Sequence, residues 1–234
     1  PEEPVGEVDY LAEIVESSIA AMPLEDKVAG LFIVTPEVLT DTDVVIKAGD
    51  TTREKLGENA VGGLIYSAKN FKDSAQLTEM LQNTKVYSKY PIFLGVEEEG
   101  GAVSRVAEAG LADNIGPMGE IGASGDTSLA QEAGTVIGEY LAGFGFNLNF
   151  GPVADVTAEG DTVIGDRSFG GDVNLVSPMV AAAVTGMQDG GISVCLKYFP
   201  GLGSSSEDVR DGMAATEKTL EEFQAADFPA FQAG

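Results

Sequence analysis

Five short apolar runs recur along the chain, and a segment with helical spacing of its apolar residues separates each from the next. This alternation constrains the fold more than any other feature. A strand that rejoins its sheet after a helical crossover lies parallel to the strand before it. The runs are 31–34, 61–66, 92–96, 146–150 and 192–196. The first, Leu31-Phe32-Ile33-Val34, is continuously apolar, the pattern of a parallel strand covered on both faces. The spacing predicts a helix over 9–22, with Leu11, Ile14, Val15, Ile19 and Met22 on one face. Pro23 ends it and can open a short helix over 24–30. The polar stretch 40–58 reads as a loop with one short helix. Asp73 or Ser74 caps a helix carrying Leu77, Met80, Leu81 and Thr84. Asp126 or Thr127 caps another with Leu129, Val136, Ile137, Tyr140 and Leu141, stopped by Gly143 and Gly145. A helix over 174–188 stops at Gly190-Gly191, and Thr219 and Glu222 stand at capping-box spacing before the last one.

A doubly wound sheet and a barrel both satisfy this alternation. Polar, glycine-rich stretches follow nearly every strand at its C-terminal end, where barrels place their chemistry, so a (β/α) barrel is favoured. Residues 1–8 read as a linker-like tail, and 9–234 as one domain. A mature exported protein would begin with such a tail.

Composition excludes several partners. With 13 Lys+Arg against 38 Asp+Glu, the net charge is −25, which repels nucleic acid and anionic membrane surfaces. No apolar run approaches the roughly 18 residues of a membrane span. The chain has no histidine, which removes every His-based catalytic or metal site from it. Its one cysteine, Cys195, sits in an apolar run and is expected in the core. No phosphate-binding loop is present, and the residues imply no cofactor and no metal.

Three stretches can carry chemistry. Glu97-Glu98-Glu99-Gly100-Gly101 follows the third strand. It is either a solvated acidic loop or a set of carboxylates that accept hydrogen bonds from sugar hydroxyls. Ile164-Gly165-Asp166-Arg167-Ser168 holds either a local Asp–Arg pair or an Arg aimed at a polar ligand. Lys197-Tyr198-Phe199-Pro200-Gly201-Leu202-Gly203 leaves the fifth strand, with Lys197 expected at a pocket rim and Asp208 in the Ser-rich loop beyond.

Taken in order, these stretches resemble the β-N-acetylglucosaminidase branch of glycoside hydrolase family 3, from about residue 24 to 234. Lys27-Val28-Ala29-Gly30-Leu31-Phe32, Val61-Gly62-Gly63-Leu64-Ile65 and Phe150-Gly151-Pro152-Val153-Ala154-Asp155 carry the same resemblance. It implies the first five units of a TIM-type (β/α)8 barrel. It implies retaining hydrolysis of a terminal β-linked N-acetylglucosamine or similar sugar, and an extracellular or cell-surface place, lipoprotein-anchored in a Gram-positive bacterium. The sequence leaves a cytoplasmic place open.

Carried over by position, the resemblance implies sugar-binding roles for Arg105, Arg167 and Lys197. Glu97 stands for the family's substrate-binding Asp, and Ala102 for an Arg. Tyr198, Leu202 and Arg210 stand where the family has histidines. Arg210 falls at the acid/base His, and Asp208 at its Asp partner. The nucleophilic Asp of the family would follow residue 234. Retaining chemistry needs a nucleophilic carboxylate and a separate proton donor. Three readings follow: a family 3 homologue with impaired catalysis, a piece of a working glycosidase that uses Asp208 or Glu207 as acid, and a binding or scaffold module. Five units also leave two open sheet edges, so self-association is expected.

Overall fold

The computed structural model describes residues 10–234 apart from 159 and 206, so the tail read over 1–8 lies outside the described residues. The strands are β1 (Ile33–Val34), β2 (Gly63–Tyr66), β3 (Phe93–Val96), β4 (Glu98–Gly100), β5 (Val103–Ser104), β6 (Leu148–Asn149) and β7 (Ser193–Val194). Five of them form one parallel sheet in the order β1-β2-β3-β6-β7, and β4 and β5 form a separate antiparallel ribbon.

The spatial order of the main sheet equals its order in sequence, and this decides the architecture. Crossovers between parallel strands are right-handed, so steps always taken in one direction keep every helix on the same face. A doubly wound sheet reverses direction and puts helices on both faces. Four steps in one direction, joining five strands, make a TIM-type barrel wall. Side chains extend its ladder at both ends, Asn147 before β6 and Asn149 at its end. Asn147 Oδ1 accepts from the Leu94 N–H (2.7 Å). Asn149 accepts from the Glu98 N–H (2.9 Å) and donates to the Glu98 carbonyl (2.8 Å). These bonds hold the chain in line as it passes from β3 into the glutamate stretch.

Two helices outside the sheet pack closely. Helix Thr127–Phe144 and helix Val173–Asp189 meet backbone to backbone through glycines. A Cβ on Gly134 would stand 2.2 Å from the Ala183 carbonyl oxygen, and one on Gly186 would stand 2.0 Å from that of Gln131. Both helices turn Ile137, Leu141, Val176, Val180 and Met187 into one buried cluster with Leu77 and Leu81 of helix Ser74–Tyr87. Asp73 and Asp126 are the N-caps of their helices, Asp172 caps helix Val173–Asp189, and Thr219 forms the capping box with Glu222.

Several expectations need correction. The first run is not covered on both faces. Only its last two residues pair, and Leu31 and Phe32 are 82% and 56% exposed. The helix over 9–22 is described as Tyr10–Ala21 and buries none of its residues. The polar stretch holds two helices, Pro36–Thr40, capped by Thr35, and Asp50–Glu58. Gly143 is inside its helix, and the left-handed stop is Gly145 at φ 106°. The final helix is two, Leu220–Ala226 and Phe228–Ala233. Cys195 is exposed, because β7, which it follows, is the last strand in the sheet and no described element covers the outer edge.

The glycine contact predicts a sharp contrast. Gly186→Val should destabilise the fold by about 3 kcal/mol, since the helices must separate to admit the side chain. Gly143→Ala, on an exposed turn with nothing within 4 Å, should be neutral or stabilising by up to about 1 kcal/mol. Urea unfolding of the two variants measures both.

Candidate functional site

Consecutive residues of an extended chain point to opposite sides, and this separates the three adjacent glutamates. Glu97 and Glu99 turn to one side and Glu98 to the other. Glu98 is fully buried and accepts from the backbone N–H groups of Val106 (2.8 Å) and Ala107 (3.1 Å) and from the Tyr140 hydroxyl (2.9 Å). It holds the start of helix Arg105–Glu108 to helix Thr127–Phe144. Burial pushes the Glu98 carboxyl above its ordinary range, and its N–H and hydroxyl partners only partly restore it.

Glu99, equally buried, meets two cations from two later βα units. Arg167, in the one-turn helix Gly165–Arg167, donates in bidentate fashion from Nε (2.8 Å) and Nη2 (2.9 Å). Lys197, just beyond β7, reaches the same carboxylate at Oε1, the oxygen that Arg167 Nη2 also bonds. Lys197 also reaches Glu97 (2.9 Å), and Glu97 pairs with Arg105 (3.3 Å). Burial alone would lower the Lys197 ammonium, but Glu99 and Glu97 outweigh it and hold Lys197 above the ordinary lysine value. Burial would raise Glu97, and Lys197 and Arg105 outweigh it downward. Arg167 is held above its ordinary value, chiefly by Glu99.

Tyr198 completes this wall. Its hydroxyl accepts from Arg167, and its ring centre lies 5.3 Å from both the Arg167 guanidinium and the Lys197 ammonium. A cleft of about 260 Å³ opens in front, lined by Glu97, Arg105, Arg167, Tyr198, Asp208 and Arg210 among others. Six of the seven site residues expected from sequence therefore border one cavity. The seventh, Lys197, does not line this cleft, though it lines a neighbouring cavity with Tyr198 and Phe199. It is buried behind the cleft, where it holds Glu97 and Glu99 in place. The local Asp166–Arg167 pairing is not formed, because Arg167 turns its charge to Glu99.

On the opposite side of the cleft Arg210 folds back on Asp208. Its Nε lies 3.0 and 2.9 Å from the two carboxylate oxygens, and its own N–H donates to the same group (2.9 Å). These bonds hold Asp208 down to about 2. Glu207 points away from the cleft, accepting from the Ala215 N–H (3.2 Å). Sequence reasoning did not single out Glu99 as the centre of the network or Glu98 as a structural brace. The alternation of an extended chain, carried past the end of β3, was the signal that separates them.

Residues 23–234 match the glycosyl hydrolase family 3 N terminal domain. A beta-hexosaminidase of Thiobacillus denitrificans is 32% identical over 189 residues, which cover 78% of this chain and 52% of the relative. A glycoside hydrolase family 3 beta-N-acetylglucosaminidase from a Paenibacillus species superposes with a TM-score of 0.80 at 32% identity, covering 91% of this chain and 40% of the other. NagZ from Neisseria gonorrhoeae, solved in complex with N-trifluoroacetyl-D-glucosamine, superposes at 0.76 and 25% identity, covering 86% and 59%. The chain spans about half the length of the curated relatives it matches.

The network predicts unequal costs. Arg167→Met leaves Glu99 buried with Lys197 alone and should destabilise by about 3 kcal/mol. Arg167→Lys keeps the charge but loses the bidentate geometry and should cost about 1–2 kcal/mol. The pH dependence has a definite sign. The Lys197 contribution is complete below the unfolded lysine value of 10.5 and is lost as pH rises through its higher folded value. Lys197→Met should flatten that alkaline decline in urea-unfolding stability against pH.

Proposed function

We propose a function from one premise: the chain belongs to glycosyl hydrolase family 3. Its cleft binds a terminal β-linked N-acetylglucosamine or similar sugar, and these 234 residues do not hydrolyse it. Sugar binding is supported by the cations and hydroxyl that border the cavity, and by the sugar analogue bound to the gonococcal NagZ. Arg167 and Arg105 donate to ring hydroxyls, Glu97 accepts from them, and Tyr198 offers a ring face.

The observation that carries the reading on catalysis is the Asp208–Arg210 pair. A general acid must hold a proton at working pH and release it in the transition state. Arginine keeps its proton at neutral pH. Asp208, held down to about 2 by Arg210, has already lost its own. Of the glutamates, Glu97 is held low and Glu99 is bound to Arg167 and Lys197. Glu98 is raised, but it faces helix Thr127–Phe144 rather than the cleft. No carboxyl among the described cleft residues is therefore poised as a proton donor.

The second reading, a piece of a working glycosidase, is favoured by one observation: the relatives are about twice as long as the stretch that matches them. The longer relatives carry room for a nucleophile beyond the matched stretch. As for place, the family resemblance supports an extracellular or cell-surface protein. The chain also self-associates in this reading, through the open edges at β1 and β7 and the exposed Leu31 and Phe32.

The test uses the 234-residue chain with an aryl β-N-acetylglucosaminide and with N-acetylglucosamine. We expect no release of nitrophenol above buffer. Calorimetry should give sugar binding that weakens at least about tenfold in Arg167→Met, the loss of a charge-assisted pair. Turnover would overturn the non-catalytic reading, and absence of binding would overturn the sugar-binding one. Light scattering at micromolar concentration should give a mass above that of one 24.2 kDa chain, and a mass of 24.2 kDa would count against self-association.

A further inference from the structure

Asp155 lies outside the cleft and is fully buried, yet it is bonded to both loops that form the cleft's sugar-facing wall. It follows β6 at the end of 152–155, a segment that runs parallel to the start of the Lys197 loop. Val153 bridges to Lys197, and the Ala154 N–H donates to the Lys197 carbonyl (2.5 Å). The Asp155 carboxylate accepts from the backbone N–H groups of Tyr198 (3.0 Å), Leu202 and Gly203 (2.8 Å). Its carbonyl accepts from the Ser168 hydroxyl (2.6 Å), one residue beyond Arg167. One residue thus holds the loop that carries Tyr198 and the turn that carries Arg167, and the two side chains meet in the cleft.

We infer that Asp155 is a positioning residue for the cleft: its ionised carboxylate gathers the 198–203 loop, sets Tyr198 against Arg167, and so fixes the geometry of the sugar-binding wall. The inference rests on the sugar-binding reading of that wall. Three backbone N–H groups turned to one buried carboxylate need it as their acceptor, because a buried donor without one costs about 1–3 kcal/mol. The loop is shaped to reach it. A Cβ on Gly203 would stand 2.9 Å from the Val156 carbonyl oxygen, so only glycine brings this N–H close enough. An uncharged side chain of the same size does not replace the carboxylate. The amide of asparagine keeps one acceptor oxygen but turns its NH2 toward the N–H groups that met the other.

Burial raises the Asp155 carboxyl above its ordinary value, the N–H groups of Gly203, Tyr198 and Leu202 pull it back, and Asp227 raises it again. Asp227, buried between the last two helices, is itself bonded to Lys218 (2.6 Å). Protonation of Asp155 therefore comes at a less acid pH than for an ordinary aspartate, and it weakens the three bonds together.

The experiment is an amide-resolved NMR titration of the unliganded wild-type chain, with N-acetylglucosamine affinity measured across the same pH range. The N–H signals of Tyr198, Leu202 and Gly203 should move together, with one midpoint above 3.8, the ordinary aspartate value. Sugar affinity should fall about tenfold with the same midpoint. Asp155→Asn should lose the titration and bind the sugar about tenfold more weakly at neutral pH. Ser168→Ala frees only the Arg167 turn, and should weaken binding while leaving the three N–H titrations in place. Amides that do not titrate together, or an Asp155→Asn variant with full affinity, would overturn the inference. A merely structural role would lower the melting temperature of Asp155→Asn without giving affinity and amide shifts a common midpoint. Should Asp155→Asn not fold, the wild-type titration alone decides. Should no sugar bind the wild type, the sugar reading falls, and the amide titration still tests the hold of Asp155 on the loop.

Discussion

Glu99 carries its charge at a position with no solvent access, and the site is organised around making that tolerable. An isolated carboxylate in such a place would lose several kcal/mol of hydration and would take up a proton instead. Here it receives a bidentate guanidinium from the turn after β6 and an ammonium from the end of β7. Neither partner is near it in sequence. The network closes only when β3, β6 and β7 stand side by side in register, so the site and the sheet form together. Pairs of this kind add little net stability, but they are intolerant of a missing member. That intolerance fixes Arg167 and Glu97 in place before any ligand arrives.

The surroundings serve the same end by simpler means. Asn149 continues the β3–β6 ladder with its side chain and delivers the glutamate stretch at a set height above the sheet. Glu98 ties that stretch to helix Thr127–Phe144, and that helix is held backbone to backbone against its neighbour by Gly134 and Gly186. A path of close contacts therefore runs from the glycine seam through Tyr140 and Glu98 to Glu97 and the cleft. Small residues far from the cavity set the position of charged residues inside it, because a packed interior transmits displacement rather than absorbing it.

Much of the fold was legible in the residues, and the reasons differ by feature. Alternating strands and helices implied a parallel sheet, and the helix caps at Asp73, Asp126 and Thr219 were readable because a cap is a local bond between neighbours in sequence. Six of the seven site residues line one cleft because their loops all leave the same end of a barrel. What failed depended on neighbours. Cys195 and Leu31 look like core residues, but burial is set by what lies beside a strand, and both stand toward the sheet edges. The helix Tyr10–Ala21 has an apolar face that no described element covers. The buried place of Lys197 was missed for a similar reason: its partners come from a loop a hundred residues away.

The cleft holds a wall of Arg167, Tyr198 and Glu97 together with a closed Asp208–Arg210 pair. A histidine beside an aspartate makes an acid that can give and retake a proton near neutral pH. Arg210 keeps its proton at neutral pH, and by bonding Asp208 through Nε and its own N–H it holds that carboxyl down to about 2. The guanidinium is 80% exposed, so this pair contributes little to the stability of the fold. Its effect is chemical rather than structural. It leaves the opposite wall, with Arg167, Tyr198 and Glu97, intact and still charged for hydrogen bonding. Among the described residues no hydrogen bond joins the Asp208–Arg210 pair to Arg167, Tyr198 or Glu97, so a change in one group need not displace the other.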